Sequence, residues 1–299
     1  IYNENSLRLE WMNFRQDFGR REIGSRNPFD LPQRLWHYLL TEAGVALQTK
    51  WADLTKIQTQ NLVQQLTNSS FQVNGKSISF LNTTKQLQLI FPFKKGKNKL
   101  TFEYSAKPKQ TMYFVGSEEN DNLEIWTQGQ GKYTSHWFPS FDDVNEKVVF
   151  NLNIVFNKDY QVISNGLLQF KSELDGLSVW NYRMQKPMSS YLLMLAIGKY
   201  DKISQKSKSG IPLELYIEPK EISKFEPTYR NSKQIFDFLE TAIGVKYPWE
   251  IYKQVPVRDF LYAGMENTSA TLFTTRYVVD SVGFEDRSYT NVNAHELAH

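Results

Sequence analysis

From about residue 58 to 218 apolar side chains recur at alternate positions, and from about 219 onward they recur three and four apart. Alternation turns one face of a strand into a core and the other into water, whereas the 3.6-residue period builds a helix stripe. Strands gathered in one block and helices in the next argue against a βαβ repeat and predict an α+β chain. The boundaries drawn from this are an N-terminal helical or irregular segment at 1–57, a β-rich domain at 58–218 and a further domain at 219–299.

Within the β-rich block, Phe71-Gln-Val73 and Ser77-Ile-Ser-Phe80 flank Asn74-Gly75, which predicts a tight hairpin. Phe150, Leu152, Ile154 and Phe156 alternate with Asn151, Asn153 and Val155, as a half-buried strand requires. Further strands are expected at 87–91, 100–104, 161–164, 191–197 and 213–217, and many short strands at this spacing predict an antiparallel sandwich. The lysines at 94, 95, 97 and 99 read as solvated turn residues. In the first segment, Leu35, Trp36, Leu39 and Leu40 between Pro32 and Gly44 predict one helix. Arg15, Arg20 and Arg21 are expected in a polar loop before it, on a solvated basic face. Ile235, Phe236, Phe238, Leu239 and Ile243 predict a helix ended by Gly244, and Thr290 or Asn291 is expected to cap a last one.

Composition removes several functions. The 35 basic and 32 acidic residues leave a net charge of only +3, too weak a field for nucleic acid as the main partner. The chain has no cysteine, which excludes disulfides, thiolate metal centres and a cysteine nucleophile. No apolar run approaches the roughly 20 residues that cross a bilayer, so no membrane segment is expected. A start at Ile1, without an initiator methionine or a signal-peptide pattern, predicts a processed or excised chain.

The sharpest signal is His295-Glu296-Leu297-Ala298-His299. On a helix, positions 295, 299 and 296 point near about 0°, 40° and 100°, so both imidazoles share one face with the carboxylate at its edge. Two histidines one turn apart can bind one Zn²⁺, and the acid beside them can act as base on the water that the ion activates. With only four histidines in the chain, a chance match is less favoured than the metal reading. His37 and His136, each alone, read as structural. Two histidines leave a zinc site short of the usual three protein ligands.

Ala263-Gly264-Met265-Glu266-Asn267 is similar to the Gly-Ala-Met-Glu-Asn exopeptidase motif of the M1 (gluzincin) aminopeptidases, with its first two residues exchanged. Trp137-Phe138-Pro139-Ser140-Phe141-Asp142-Asp143, followed by Lys147 and Phe150, resembles that family's Phe-Pro-Cys-Phe-Asp-Glu-Pro segment, with Ser140 for Cys and Val144 for Pro. Thr127-Gln128-Gly129-Gln130 falls where the family has a Gln-x-Glu or Gln-x-Gln strand beside its substrate. The likeness covers about residues 70–299, and three motifs in order make it specific.

The resemblance implies a β-sandwich or saddle followed by the start of a thermolysin-like catalytic domain, cut short at the His-Glu-x-x-His helix. It implies one Zn²⁺ on His295 and His299, Glu296 as base, and a third Glu ligand and a transition-state Tyr beyond His299. It assigns Glu266 to the free α-ammonium of a peptide, a charge-assisted contact. Gln128, Gln130, Ala263, Gly264 and Met265 would line the substrate, and the Phe-Pro-Ser-Phe-Asp segment would brace the cleft. The expected activity is zinc-dependent removal of N-terminal residues from peptides with a free N-terminus. The alternatives are a catalytically silent scaffold for protein interaction, or a related endopeptidase or epoxide hydrolase.

Overall fold

Three helices open the chain: α1 Glu4–Phe18, α2 Gln33–Glu42 and α3 Lys56–Leu66. The first corrects the loop expected around Arg15. Trp11, Phe14 and Phe18 stand three and four apart and pack into one core, a stripe that the polar residues between them obscure. The Arg15 guanidinium donates to the carbonyls of Ala52 at 2.7 Å and Leu54 at 2.9 Å, so it ties α1 to a later turn. That core is aromatic. The Trp51 ring lies 5.1 Å from Trp11 and 6.3 Å from Trp36, and Trp36 Nε1 donates to the Ile23 carbonyl at 2.8 Å. His37 Nε2 lies 2.9 Å from the Gly24 carbonyl, a structural contact.

After α3 come β1 Ser70–Val73 and β2 Lys76–Ser77, joined at Asn74 and Gly75. Their φ values of 50° and 79° are the two left-handed residues a type I′ turn needs, which is why this sequence reads as a hairpin. Then follow β3 Ser79–Asn82, which pairs antiparallel with β4 Leu87–Ile90, and β5 Leu100–Glu103, which pairs with β1. Residues 94, 95, 97 and 99 are exposed. The computed structural model describes residues 4–25, 27–29, 33–66, 70–82 and 87–299, and falls into two compact units, Ile1–Ala106 and Lys107–His299.

The second unit begins with nine strands that pair only antiparallel: β6 Met112–Val115, β7 Glu124–Thr127, β8 Lys147–Val148, β9 Asn151–Asn157, β10 Gln161–Ser164, β11 Leu167–Leu174, β12 Leu177–Arg183, β13 Met188–Ser189 and β14 Leu195–Gly198. One sheet has the order β10-β14-β7-β6 and another β11-β12-β9. Ile125, Val162 and Ile197 from the first meet Trp180 and Tyr182 from the second in one core, the layered packing expected of a sandwich. On β9, Leu152, Ile154 and Phe156 turn inward, as their alternation requires. The strand expected at 191–197 begins only at Leu195. Residues 190–192 form a 3₁₀ turn, because Ser190 Oγ donates to the Phe141 carbonyl and its own carbonyl accepts from Thr134.

The chain then builds one mixed sheet from β15 Asp201–Lys206, β16 Pro212–Ile217, β17 Tyr252–Val257, β18 Gly264–Met265 and β19 Ala270–Thr274. Its order is β15-β16-β17-β19-β18, parallel from β16 to β17 and from β17 to β19. Residue 218 thus separates element types within a single sheet. Helices α4 Phe225–Tyr229 and α5 Ser232–Ile243 connect β16 to β17, and α5 stops at Gly244, whose φ of 75° suits a left-handed cap. Helices α6 Gly283–Asp286 and α7 Thr290–Ala298 follow the sheet. The α+β class is as expected.

Lys253 on β17 ties the sheet to the sandwich. Its Nζ is buried, donates to the carbonyls of Ser164 (2.7 Å) and Gly166, and lies 4.8 Å from the Tyr182 ring. Burial pushes its pKa down to about 7, against the pull of Glu214.

Candidate active site

Helix α7 is positioned by side chains that sequence reasoning did not single out. Asn293 is buried; its Nδ2 donates to Ser232 Oγ on α5 at 2.7 Å, and its Oδ1 accepts from Gln254 on β17 at 3.2 Å. Ser232 Oγ donates to Gln254 Oε1 at 3.1 Å, which closes the triad. A closed polar triad fixes the helix's rotation, since each partner would be left unpaired by a slip. Tyr289 stacks on Phe273 with ring centroids 3.9 Å apart, and Leu297 packs toward Phe236 and Tyr252. The cap expected from Thr290 or Asn291 does not form. Tyr289 occupies the N-cap position without a side-chain bond, and Thr290 Oγ1 instead accepts from Asn231 at 3.0 Å.

With that face fixed, His295 and His299 are exposed and their Nε2 atoms lie 3.3 Å apart. Nitrogens about 2.0–2.1 Å from a tetrahedral ion stand about 3.3–3.4 Å from each other, so the pair fits one zinc ion. Among the described residues no third Cys, His, Asp or Glu completes such a group. Glu296 is half-buried, and burial, with the Glu266 charge second, pushes its carboxyl up to about 7.

Strand β18 is the edge of the mixed sheet, paired with β19 alone through Gly264↔Phe273 and Met265↔Leu272. A Cβ on Gly264 would stand 2.5 Å from Glu296 Oε1, so a larger residue here would require the Glu296 side chain to shift. That gives a physical reason for the exchanged Ala263-Gly264 order. A cleft of about 520 Å³ is lined by Gln130, Ala263, Gly264, Glu266 and the His295, Glu296 and His299 face. Tyr191 lies beside Glu266, a neighbour the motif does not reveal: burial, and after it the Glu266 charge, push the phenol's pKa up. Two expected substrate residues lie apart from this lining. Met265 is buried in the core around Leu272 and Val255, since it points opposite to its neighbours on the strand. Gln128 is buried too; its Oε1 accepts from the Gln130 amide at 3.0 Å and so shapes the turn that presents Gln130.

The Phe-Pro-Ser-Phe-Asp segment is a braced turn. Asp142 accepts from the Ser135 amide and from Ser140 Oγ, each at 3.0 Å. His136 lies near Gln110 and Tyr133, away from the cleft lining.

Comparison with known proteins finds matches over most of the chain. Residues 42–192 match the model of the peptidase M1 N-terminal domain, and residues 228–299 match the peptidase family M1 domain. Residues 2–78 also match the model of the HI0933-like protein barrel and H2TH domain. The chain is 25% identical over 266 residues to a probable aminopeptidase 2 of Sulfurisphaera tokodaii, covering 88% of this chain and 32% of that protein. It is 26% identical over 231 residues to a leucyl aminopeptidase of Saccharolobus solfataricus, covering 76% and 29%. Over 169 residues it is 30% identical to the glutamyl aminopeptidase of Rattus norvegicus, covering 54% of this chain and 18% of that protein. The chain thus spans under a third of the length of these relatives. Because the M1 N-terminal model alone covers half of it and the M1 domain model follows in order, the chain belongs to the M1 peptidase family.

Proposed function

We propose that this chain carries the amine-recognition edge and the first two metal ligands of a zinc-dependent aminopeptidase. The observation that supports it is a single cleft lined by Glu266, Gln130, the β18 edge and the His295, Glu296 and His299 face. His295 and His299 would hold the ion, with a third ligand, a Glu C-terminal to His299, as the family resemblance implies. Zinc when bound supplies Lewis acidity to the scissile carbonyl and to water.

The remaining work falls to this chain's own residues. Glu266, in the lining of the cleft, accepts a charge-assisted hydrogen bond from the substrate's α-ammonium and so sets which peptide bond is cut. The free edge of β18 pairs with an extended peptide, and Gly264 lets Glu296 approach that peptide. Glu296 takes a proton from the attacking water and hands it to the leaving amine. Replacing Glu266 by Ala should lower kcat/KM for free-amine peptides by about 100-fold and leave N-acetylated peptides far less affected, since one charge-assisted contact is lost. Equal losses on both substrate types would favour an endopeptidase or a different hydrolase.

A further inference from the structure

We propose that Arg276 and Arg287 form a carboxylate-binding subsite that selects peptides with an acidic group at the third or fourth residue from the amino end. The inference rests on the reading of Glu266 given above and adds a specificity to that same site.

A second hollow, of about 390 Å³, shares Tyr262 and Ala263 with the cleft. Both arginines line it, both are exposed, and no Asp or Glu is part of its wall. Among the described residues neither guanidinium forms an ion pair, whereas Arg230 and Arg258 each do. The adjoining cleft has the opposite character, with Glu266 and Glu296 in its lining. The groove is therefore acidic at one end and basic at the other.

Strand geometry sets the register. A peptide whose ammonium sits at Glu266 and whose backbone pairs antiparallel with the β18 edge runs back along Gly264 and Ala263 toward Tyr262. β18 itself covers only Gly264 and Met265, and at about 3.3 Å per residue an extended peptide places its third and fourth residues about 7–10 Å from its amino end, past that edge. The substrate's third and fourth residues therefore reach the hollow, and its second does not. A carboxylate arriving there, from a side chain or from the C-terminus of a short peptide, meets two guanidiniums suited to fork-shaped hydrogen bonding.

The test uses the complete protein and a set of tetrapeptide amides with one Glu or Lys at position two, three or four. Hydrolysis is read as kcat/KM, and binding as the Kd of reduced-bond analogues that cannot be cleaved. Glu is expected to beat Lys by about 10-fold at position three or four and by less than about 2-fold at position two. The R276Q/R287Q double variant should bring the first ratio to about that of position two. In the unmodified protein the ratio should shrink between about 0.05 and 1 M salt, because exposed charges are screened, and this readout needs no variant. A Glu/Lys ratio near unity at every position, or one that survives R276Q/R287Q or high salt, overturns the subsite. Preference for free over N-acetylated peptides reports Glu266 separately. A protein that keeps that preference without the Glu/Lys ratio refutes the subsite alone, and one that lacks it refutes the aminopeptidase reading and with it the register used here.

Discussion

The interior of residues 1–106 is built on Trp11, Trp36 and Trp51, and among the described residues there no charged or polar side chain is buried. The interior of residues 107–299 buries Glu124, Lys253, Gln254 and Asn293, each with named partners. The first interior only has to exclude water, which large rings do efficiently. The second has to hold a helix, an edge strand and a turn in fixed register around a cleft. Polar cross-ties do that, because each is costly to leave unmade and so tolerates one arrangement. The family matches do not follow this division, since the M1 N-terminal match at 42–192 runs across it and overlaps the HI0933-like match at 2–78.

The largest expected effect falls on the aromatic interior. Trp51→Ala should cost about 3–5 kcal/mol, the usual penalty for emptying a large buried aromatic, read as a lower denaturant midpoint. A loss below about 1 kcal/mol would show that the indole cluster does not organise that core. Asn293→Leu attacks the polar interior and leaves Gln254 Nε2 without its acceptor and Ser232 Oγ without its donor, at about 1–3 kcal/mol. It should also weaken zinc binding about 10-fold, as loss of outer-shell support does, which no change in the first unit's core should copy. Unchanged metal affinity would separate the triad from the site.

Gly264→Ala is narrower. Its Cβ would crowd the Glu296 carboxylate, so turnover should fall about 10-fold while metal content holds. A fully active variant would mean that Glu296 swings aside without consequence. A change read only against pH concerns Lys253, whose amine has its pKa pushed down to about 7 in the folded state, against about 10.4 when unfolded. Between those values the unfolded chain binds more protons, so stability should climb with pH from about 7 to 10. Lys253→Met should flatten that climb, and an unaltered slope would assign it to other groups.

Some of this was legible in the sequence. Asn74-Gly75 announced a hairpin because few residues accept two successive left-handed conformations. The imidazole pair was legible because helical spacing alone brings positions 295 and 299 together. Helix α1 was missed because its stripe is three aromatic rings among polar neighbours. That β15 and β16 join a sheet with β17 and β19 has no local signal, since the period of a strand does not name its partner. The Ser232–Gln254–Asn293 triad was invisible for a similar reason: polar residues 22 and 39 positions apart read as surface until the fold buries them. The burial of Met265 was legible, because strand alternation turns its side chain away from the face of Gly264 and Glu266.

The proposed chemistry needs a divalent ion between His295 and His299, at the end of α7, with Glu296 acting beside it. Metal analysis of the complete protein and of its Glu296→Gln variant, alongside peptidase turnover, tests this most directly. About one zinc per chain is expected in both proteins, with loss of nearly all turnover in the variant. Absence of stoichiometric metal from the complete protein, or full turnover by metal-loaded Glu296→Gln, would contradict it.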